Sequence, residues 1–96
     1  MKQSYVYILK CSDGTYYTGI TSNLNQRLFQ HEIGHFPDCY TFTRRPLLLS
    51  FYCEFTDITL AIKTEKQIKK WSKAKKQALI NGDYDALVNL AKKEFK

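Results

Sequence analysis

Four side chains in the first third of the chain have the types and spacing to act on a phosphate. Tyr7 and Tyr17 lie in two tyrosine-rich runs, Tyr5-Val6-Tyr7 and Tyr16-Tyr17-Thr18-Gly19, on either side of a Ser12-Asp13-Gly14-Thr15 turn. Arg27 and His31 follow at i, i+4, so on a helix their side chains are neighbours. A planar guanidinium grips phosphate oxygens as a fork, and a phenol or an imidazole can move a proton. Gly19, late in the second run, marks a close approach of backbone to a ligand or a helix. The rival to this set in specificity is Glu65, far along the chain.

These residues need elements to hold them. Residues 4–10 are β-branched and aromatic and read as a strand. Asp13-Gly14 is a hairpin signal, and residues 15–20 form the return strand. With period two, Tyr5, Tyr7 and Leu9 share one face, and Tyr17 and Gly19 share a face of the partner strand. Ser22 or Asn23 caps a helix over about 24–33, with Leu24 and Leu28 as its buried stripe and Gly34 as its stop. A loop, 35–46, carries Tyr40 and Phe42 and ends in Arg44-Arg45-Pro46. Leu47 to Phe55 fits a central strand. Thr56 or Asp57 then caps a helix to about Ser72, followed by a short helix near 74–81 and a last one over 84–95.

The bulk properties bound the rest. A chain of 96 residues, 44% hydrophobic and 25% charged, is one globular domain. No apolar run approaches the roughly 18 residues of a membrane span, and the first residues lack a signal-peptide pattern, so the cytoplasm is the expected location. Cys11, Cys39 and Cys53 are odd in number and widely spaced, against a disulfide framework or a structural zinc site. The net charge of +6, with a lysine-rich stretch from Lys63 to Lys76, favours a polyanionic partner, although a lysine run is more often a solvated helix face.

Glu65 stands out on the helical wheel. Taking Ile58 as ~0°, Ala61 lies near ~300°, Ile62 near ~40° and Ile68 near ~280°, and Glu65 falls near ~340°, inside the apolar arc. A buried carboxylate needs a partner or a metal. The structural alternatives are a salt bridge to Arg27, Lys10 or Lys69, or a helix rolled to expose that edge.

The ordered set resembles the GIY-YIG nuclease family over about residues 3–80. Tyr5-Val6-Tyr7 stands for its first tripeptide and Tyr17-Thr18-Gly19 for its second, ten residues apart from tyrosine to tyrosine. Arg27, eight residues past Gly19, is similar to the family's helix arginine. His31 matches its histidine or tyrosine one turn on, and Glu65 its metal-binding glutamate. Tyr5 replaces a glycine, Thr18 an aliphatic residue, and Ile20 stands where some members have lysine. The likeness is closest to a small stand-alone, single-domain branch.

The resemblance implies an α+β fold, a small three-stranded antiparallel sheet flanked by helices, over residues 2–80, with 81–96 as a helical extension on the same domain. It implies a metal-dependent endonuclease hydrolysing DNA, with structure-selective or single-stranded cleavage and roles in repair or restriction among the options. Tyr7, Tyr17, Arg27, His31 and Glu65 are the implied catalytic set, and either tyrosine or His31 is the base. Mg²⁺ or Mn²⁺ on Glu65 is the implied cofactor, with no organic cofactor and no membrane. DNA is the expected partner, with RNA also open. A late asparagine near the metal would be Asn81 or Asn89. Gly19, Arg44, Arg45, Lys69 and Lys73 are expected at the nucleic acid, and Tyr40 and Phe42 either stack on a base or anchor the loop. Two alternatives remain: a nucleic-acid-binding module whose catalysis has lapsed, and a protein-interaction domain in which Glu65 pairs internally.

Overall fold

A computed structural model of the chain describes residues 3–83, which form an α+β fold. Strand β1 (Ser4–Lys10) lies between β2 (Tyr16–Thr21) and β3 (Leu48–Phe55), and both pairings are antiparallel. The helices are α1 (Leu24–Glu32), α2 (Ile58–Lys69) and α3 (Lys73–Ile80). The expected helix 84–95, Asn89 and the part of the 81–96 extension beyond Asp83 lie outside the described residues.

The hairpin register puts Tyr7 opposite Gly19 and Leu9 opposite Tyr17. Tyr5, Tyr7, Leu9, Tyr17 and Gly19 therefore share one face, as the alternation requires. The turn closes with Gly14 at φ +84°, a conformation that suits glycine. On the opposite face Val6 and Ile8 form a core with Ala61 and Ile68, and Phe51, Phe55, Trp71 and Leu79 pack around them. One chain of alternating residues thus separates an apolar core from a face free to carry chemistry.

Each helix starts as its sequence dictates. The Asn23 side chain accepts from the Gln26 amide, the Asp57 side chain from the amides of Thr59 and Leu60, and Ser72 from that of Lys75. At the end of α1, Gly34 at φ +72° donates to the carbonyl of His31, while His35 donates to that of Gln30. This pair of bonds is a Schellman stop.

Two expectations about faces are corrected. Leu24 and Leu28 are only half-buried, and what α1 buries is His31. On α2 the buried arc is Ala61, Glu65 and Ile68, while Ile58 and Ile62 are exposed. The helix is rolled so that Ala61 and Ile68, rather than Ile58, meet Val6 and Ile8. Helix α2 also ends at Lys69, not Ser72, because Ser72 serves as the cap of α3.

Candidate active site

Tyr7 has no exposed surface. Its ring lies over the backbone of Gly19: a Cβ at that position would stand 2.5 Å from Cζ and would collide with the hydroxyl. A glycine opposite Tyr7 is therefore a steric requirement of the site. Helix α1 carries Arg27 and His31 to the same place, and the Tyr7 hydroxyl is 2.9 Å from His31 Nε2. Tyr17 meets both rings, 6.4 Å from Tyr7 and 5.4 Å from His31 by centroid. Phe36 closes the far side of His31, with the Arg27 guanidinium over its ring at 5.3 Å. The hairpin and α1 thus bring together four of the expected residues, with Tyr7 and His31 inside and Tyr17 and Arg27 partly open to solvent.

His31 is gripped from its other nitrogen too. Nδ1 is 3.0 Å from Thr41 Oγ1, and the Thr41 hydroxyl donates to Cys39 Sγ at 3.3 Å. Thr41 is 1% exposed and His31 3%, so these bonds are shielded from water. Neither Thr41 nor Cys39 stood out in the sequence. They sit in an irregular loop with no periodicity to assign a face. The one signal is position, just ahead of Arg44-Arg45-Pro46.

Burial sets the protonation states. It pushes the Tyr7 phenol up to about 12, although the charge and hydrogen bonding of Arg27 act in the opposite direction. The Tyr17 phenol is raised as well, first by burial and then by its hydrogen bond to Cys39. Burial, and then the charge of Arg27, lower His31 below its ordinary value of 6.5, so the imidazole is neutral near pH 7. Burial raises the Cys39 thiol, but hydrogen bonds from the hydroxyl and backbone of Thr41, from Tyr17 and from the Tyr40 backbone outweigh it, and the net shift is downward.

Glu65 reaches the sheet from the other side. It is 6% exposed on α2, the helix that packs along the edge strand β2. Its charge is felt at Tyr7, yet its direct partner is Lys69, with Nζ 2.6 Å from Oε2. Of the salt bridges considered from sequence, the structure makes the one to Lys69. Among the described residues, no group of three or more His, Cys, Asp or Glu could form a metal cage. This donor chemistry does not suit zinc. It does suit Mg²⁺, which needs only one or two carboxylates beside phosphate and water oxygens.

The other expected nucleic-acid contacts fall in two groups. Arg44 and Arg45 are engaged within the protein. Arg44 Nε pairs with Asp13 Oδ2 at 3.0 Å, its Nη1 donates to the Tyr40 carbonyl, and it stacks on the Tyr40 ring at 3.7 Å. Arg45 donates to the carbonyls of Phe42 and Glu32 and stacks on Phe42. Tyr40 donates to Thr15 Oγ1. Tyr40, Phe42 and both arginines therefore fasten the loop to the hairpin turn and to the end of α1. Lys69 and Lys73 are exposed on the helical side, and Lys73 Nζ approaches Gly14 of the turn. Asn81 caps the end of α3. No helix of the described residues is long and apolar enough to cross a membrane.

This geometry has known counterparts. A profile of the GIY-YIG catalytic domain matches residues 3–78. A UPF0213 protein of Syntrophus aciditrophicus is 45% identical over 80 residues, 83% of this chain and 92% of that protein. Two solution NMR structures share the fold. The UPF0213 protein of Bacillus halodurans superposes with a TM-score of 0.55 at 34% identity, over 88% of this chain and 92% of its own. A protein from E. faecalis does so with a TM-score of 0.61 at 30% identity, over 88% of each chain.

Proposed function

The chain belongs to the GIY-YIG nuclease family, and on that premise we propose that it is a Mg²⁺- or Mn²⁺-dependent endonuclease that hydrolyses phosphodiester bonds in DNA, with branched or single-stranded forms as its substrates. The observation that carries the proposal is the buried Tyr7–His31 hydrogen bond beside Arg27. A phenol alone is a poor base here. With its pKa at about 12, forming the phenolate at pH 7 costs about 7 kcal/mol. A phenol that gives its proton to a neutral imidazole as it takes one from water avoids that cost. This requires Nε2 to be the bare nitrogen of His31.

In this mechanism Arg27 holds the non-bridging oxygens of the scissile phosphate with its planar fork. The guanidinium leaves Tyr7 for the phosphate, which opens the phenolic oxygen to a water. The Tyr7 oxygen takes the proton of the attacking water and passes its own to His31 Nε2. A phosphate on Arg27 also neutralises the charge that helps hold the His31 pKa down, so substrate strengthens the base. The P–O bond to the leaving oxygen breaks, solvent protonates that oxygen, and the imidazolium returns its proton to the Tyr7 oxygen, which releases one to the water that the movement of Arg27 admits. Glu65 would hold the divalent ion, which neutralises phosphate charge and lowers the pKa of a bound water. Lys69 and Lys73 would contact flanking phosphates without reading sequence.

The Lys69–Glu65 pair favours a second reading, a module that binds nucleic acid without cutting it, because an ammonium already compensates the carboxylate. One experiment separates them. Flapped, branched and single-stranded DNA, and the matching RNAs, are incubated with the protein in Mg²⁺, Mn²⁺ or EDTA, alongside Glu65→Ala and Arg27→Ala. The proposal expects metal-dependent cleavage lost in both variants. Cleavage that survives both substitutions, or binding that never leads to cleavage, would overturn it.

A further inference from the structure

His31 has two ring nitrogens and, when neutral, one proton, and which nitrogen holds it decides whether the ring can accept from Tyr7. The neighbouring groups favour one assignment. The Thr41 hydroxyl has one hydrogen, and it is directed at Cys39 Sγ, 3.3 Å away. Thr41, Tyr17 and the Tyr40 backbone all act to lower the Cys39 thiol, as donors toward a sulfur do. Thr41 Oγ1 is thus left as an acceptor toward His31 Nδ1 at 3.0 Å. In that arrangement Nδ1 carries the proton and Nε2 faces the Tyr7 hydroxyl bare, at 2.9 Å. Thr41 and His31 are both buried, which shields the Nδ1–Thr41 bond from bulk solvent.

We propose that Thr41, oriented by Cys39, is the positioning residue that fixes His31 in the tautomer able to take the Tyr7 proton. The chain of donors runs one way: Tyr7 to His31, His31 to Thr41, Thr41 to Cys39. Thr41 touches no reacting atom. It holds the imidazole plane and removes the alternative in which Nε2–H points at Tyr7 and blocks the relay. Without the Thr41 hydroxyl, Nδ1–H has no acceptor in a closed site, and the ring shifts its proton to Nε2, where the Tyr7 oxygen can accept it. The catalytic meaning of this arrangement rests on the nuclease assignment; the tautomer itself does not.

Long-range ¹H–¹⁵N NMR of His31 in the free protein tests the tautomer directly. The expected wild-type signature is a protonated Nδ1 and a lone-pair Nε2. Thr41→Ser keeps this pattern, and the nearly isosteric Thr41→Val exchanges it. An Nε2–H tautomer in the wild type, or an unchanged pattern in Thr41→Val, overturns the proposal. Because the wild-type spectrum can refute it alone, a variant that fails to fold does not protect it. For cleavage, Thr41→Val is expected to lose about 100-fold in kcat with DNA affinity retained, and Thr41→Ser to restore it. A wild type that never cuts DNA but shows the Nδ1–H tautomer would reject the nuclease assignment and keep the positioning role. An active wild type in which Thr41→Val exchanges the tautomer without losing rate would reject Thr41's role and keep the nuclease.

Discussion

Replacing Gly19 with alanine probes the site's geometry without removing any functional group. Carbon atoms in contact prefer about 3.5–4.0 Å. The added methyl would stand 2.5 Å from Tyr7 Cζ, so the ring must retreat by about 1 Å. Tyr7 is wholly buried and bonded to His31, so a retreat of that size breaks the bond. Overpacking of this kind costs about 1–3 kcal/mol. Losing the buried hydroxyl–imidazole bond adds about 1 kcal/mol or more. The sum, roughly 2–4 kcal/mol, corresponds to a fall in Tm on the order of 10–20 °C for a domain of this size. Cleavage should fall about 100-fold beyond what unfolding explains, because a 1 Å misplacement is enough to spoil a proton transfer. The assay is thermal melting together with single-turnover cleavage well below the variant's Tm. A variant that melts within 2–3 °C of wild type, or cuts at the wild-type rate, would refute the account of Gly19 as the seat of Tyr7.

Further outcomes are expected from charge. The His31 pKa is lower folded than unfolded, so its contribution to stability is present above the ordinary value of 6.5 and is lost as pH falls below it. Asp13 is lowered too, by hydrogen bonds from Thr15 and then from Arg44, so a second loss begins near the ordinary carboxylate range. Tm measured against pH should show both steps, the first absent from His31→Gln and the second from Asp13→Asn. Lys69→Ala leaves the Glu65 carboxylate buried without its cation. Since Lys69 is half exposed, the cost should be modest, about 1 kcal/mol, and Mg²⁺ should raise the Tm of this variant more than that of wild type. Equal Mg²⁺ shifts in a thermal-shift assay would argue against Glu65 as the metal's ligand.

The elements that carry periodic patterns were legible from the sequence. The alternation of Tyr5, Tyr7 and Leu9 with Val6 and Ile8 put β1 at Ser4–Lys10 and assigned its faces correctly. Asn23 and Gly34 bracketed α1 because a cap and a left-handed stop are local chemistry. Faces set by packing were harder to read. Ile58 and Ile62 belong to an apolar arc on the wheel, yet the sheet takes Ala61 and Ile68, whose smaller or better-placed side chains let α2 lie close to Val6 and Ile8. Glu65 could be singled out as anomalous, but its choice of Lys69 among three candidate cations depends on helix geometry at i, i+4. The bonds of Arg44 and Arg45 to Asp13, Tyr40, Phe42 and Glu32 were not legible because they exist only once the loop is folded. Thr41 was invisible for the same reason: it acquires its role from a histidine ten residues earlier on another element.

The pH dependence of single-turnover cleavage tests the proton relay most directly. A preformed Tyr7 phenolate, with its pKa at about 12, would make log rate climb by one unit per pH unit from pH 6 to 10. A relay in which neutral His31 accepts the Tyr7 proton predicts a different profile. The rate should rise only below the ordinary histidine range and be level from about pH 7 upward, because His31 is already neutral there. A level profile in the wild type, lost together with activity in His31→Gln, is the predicted result. A continuous tenfold rise per unit through pH 9 would contradict the relay.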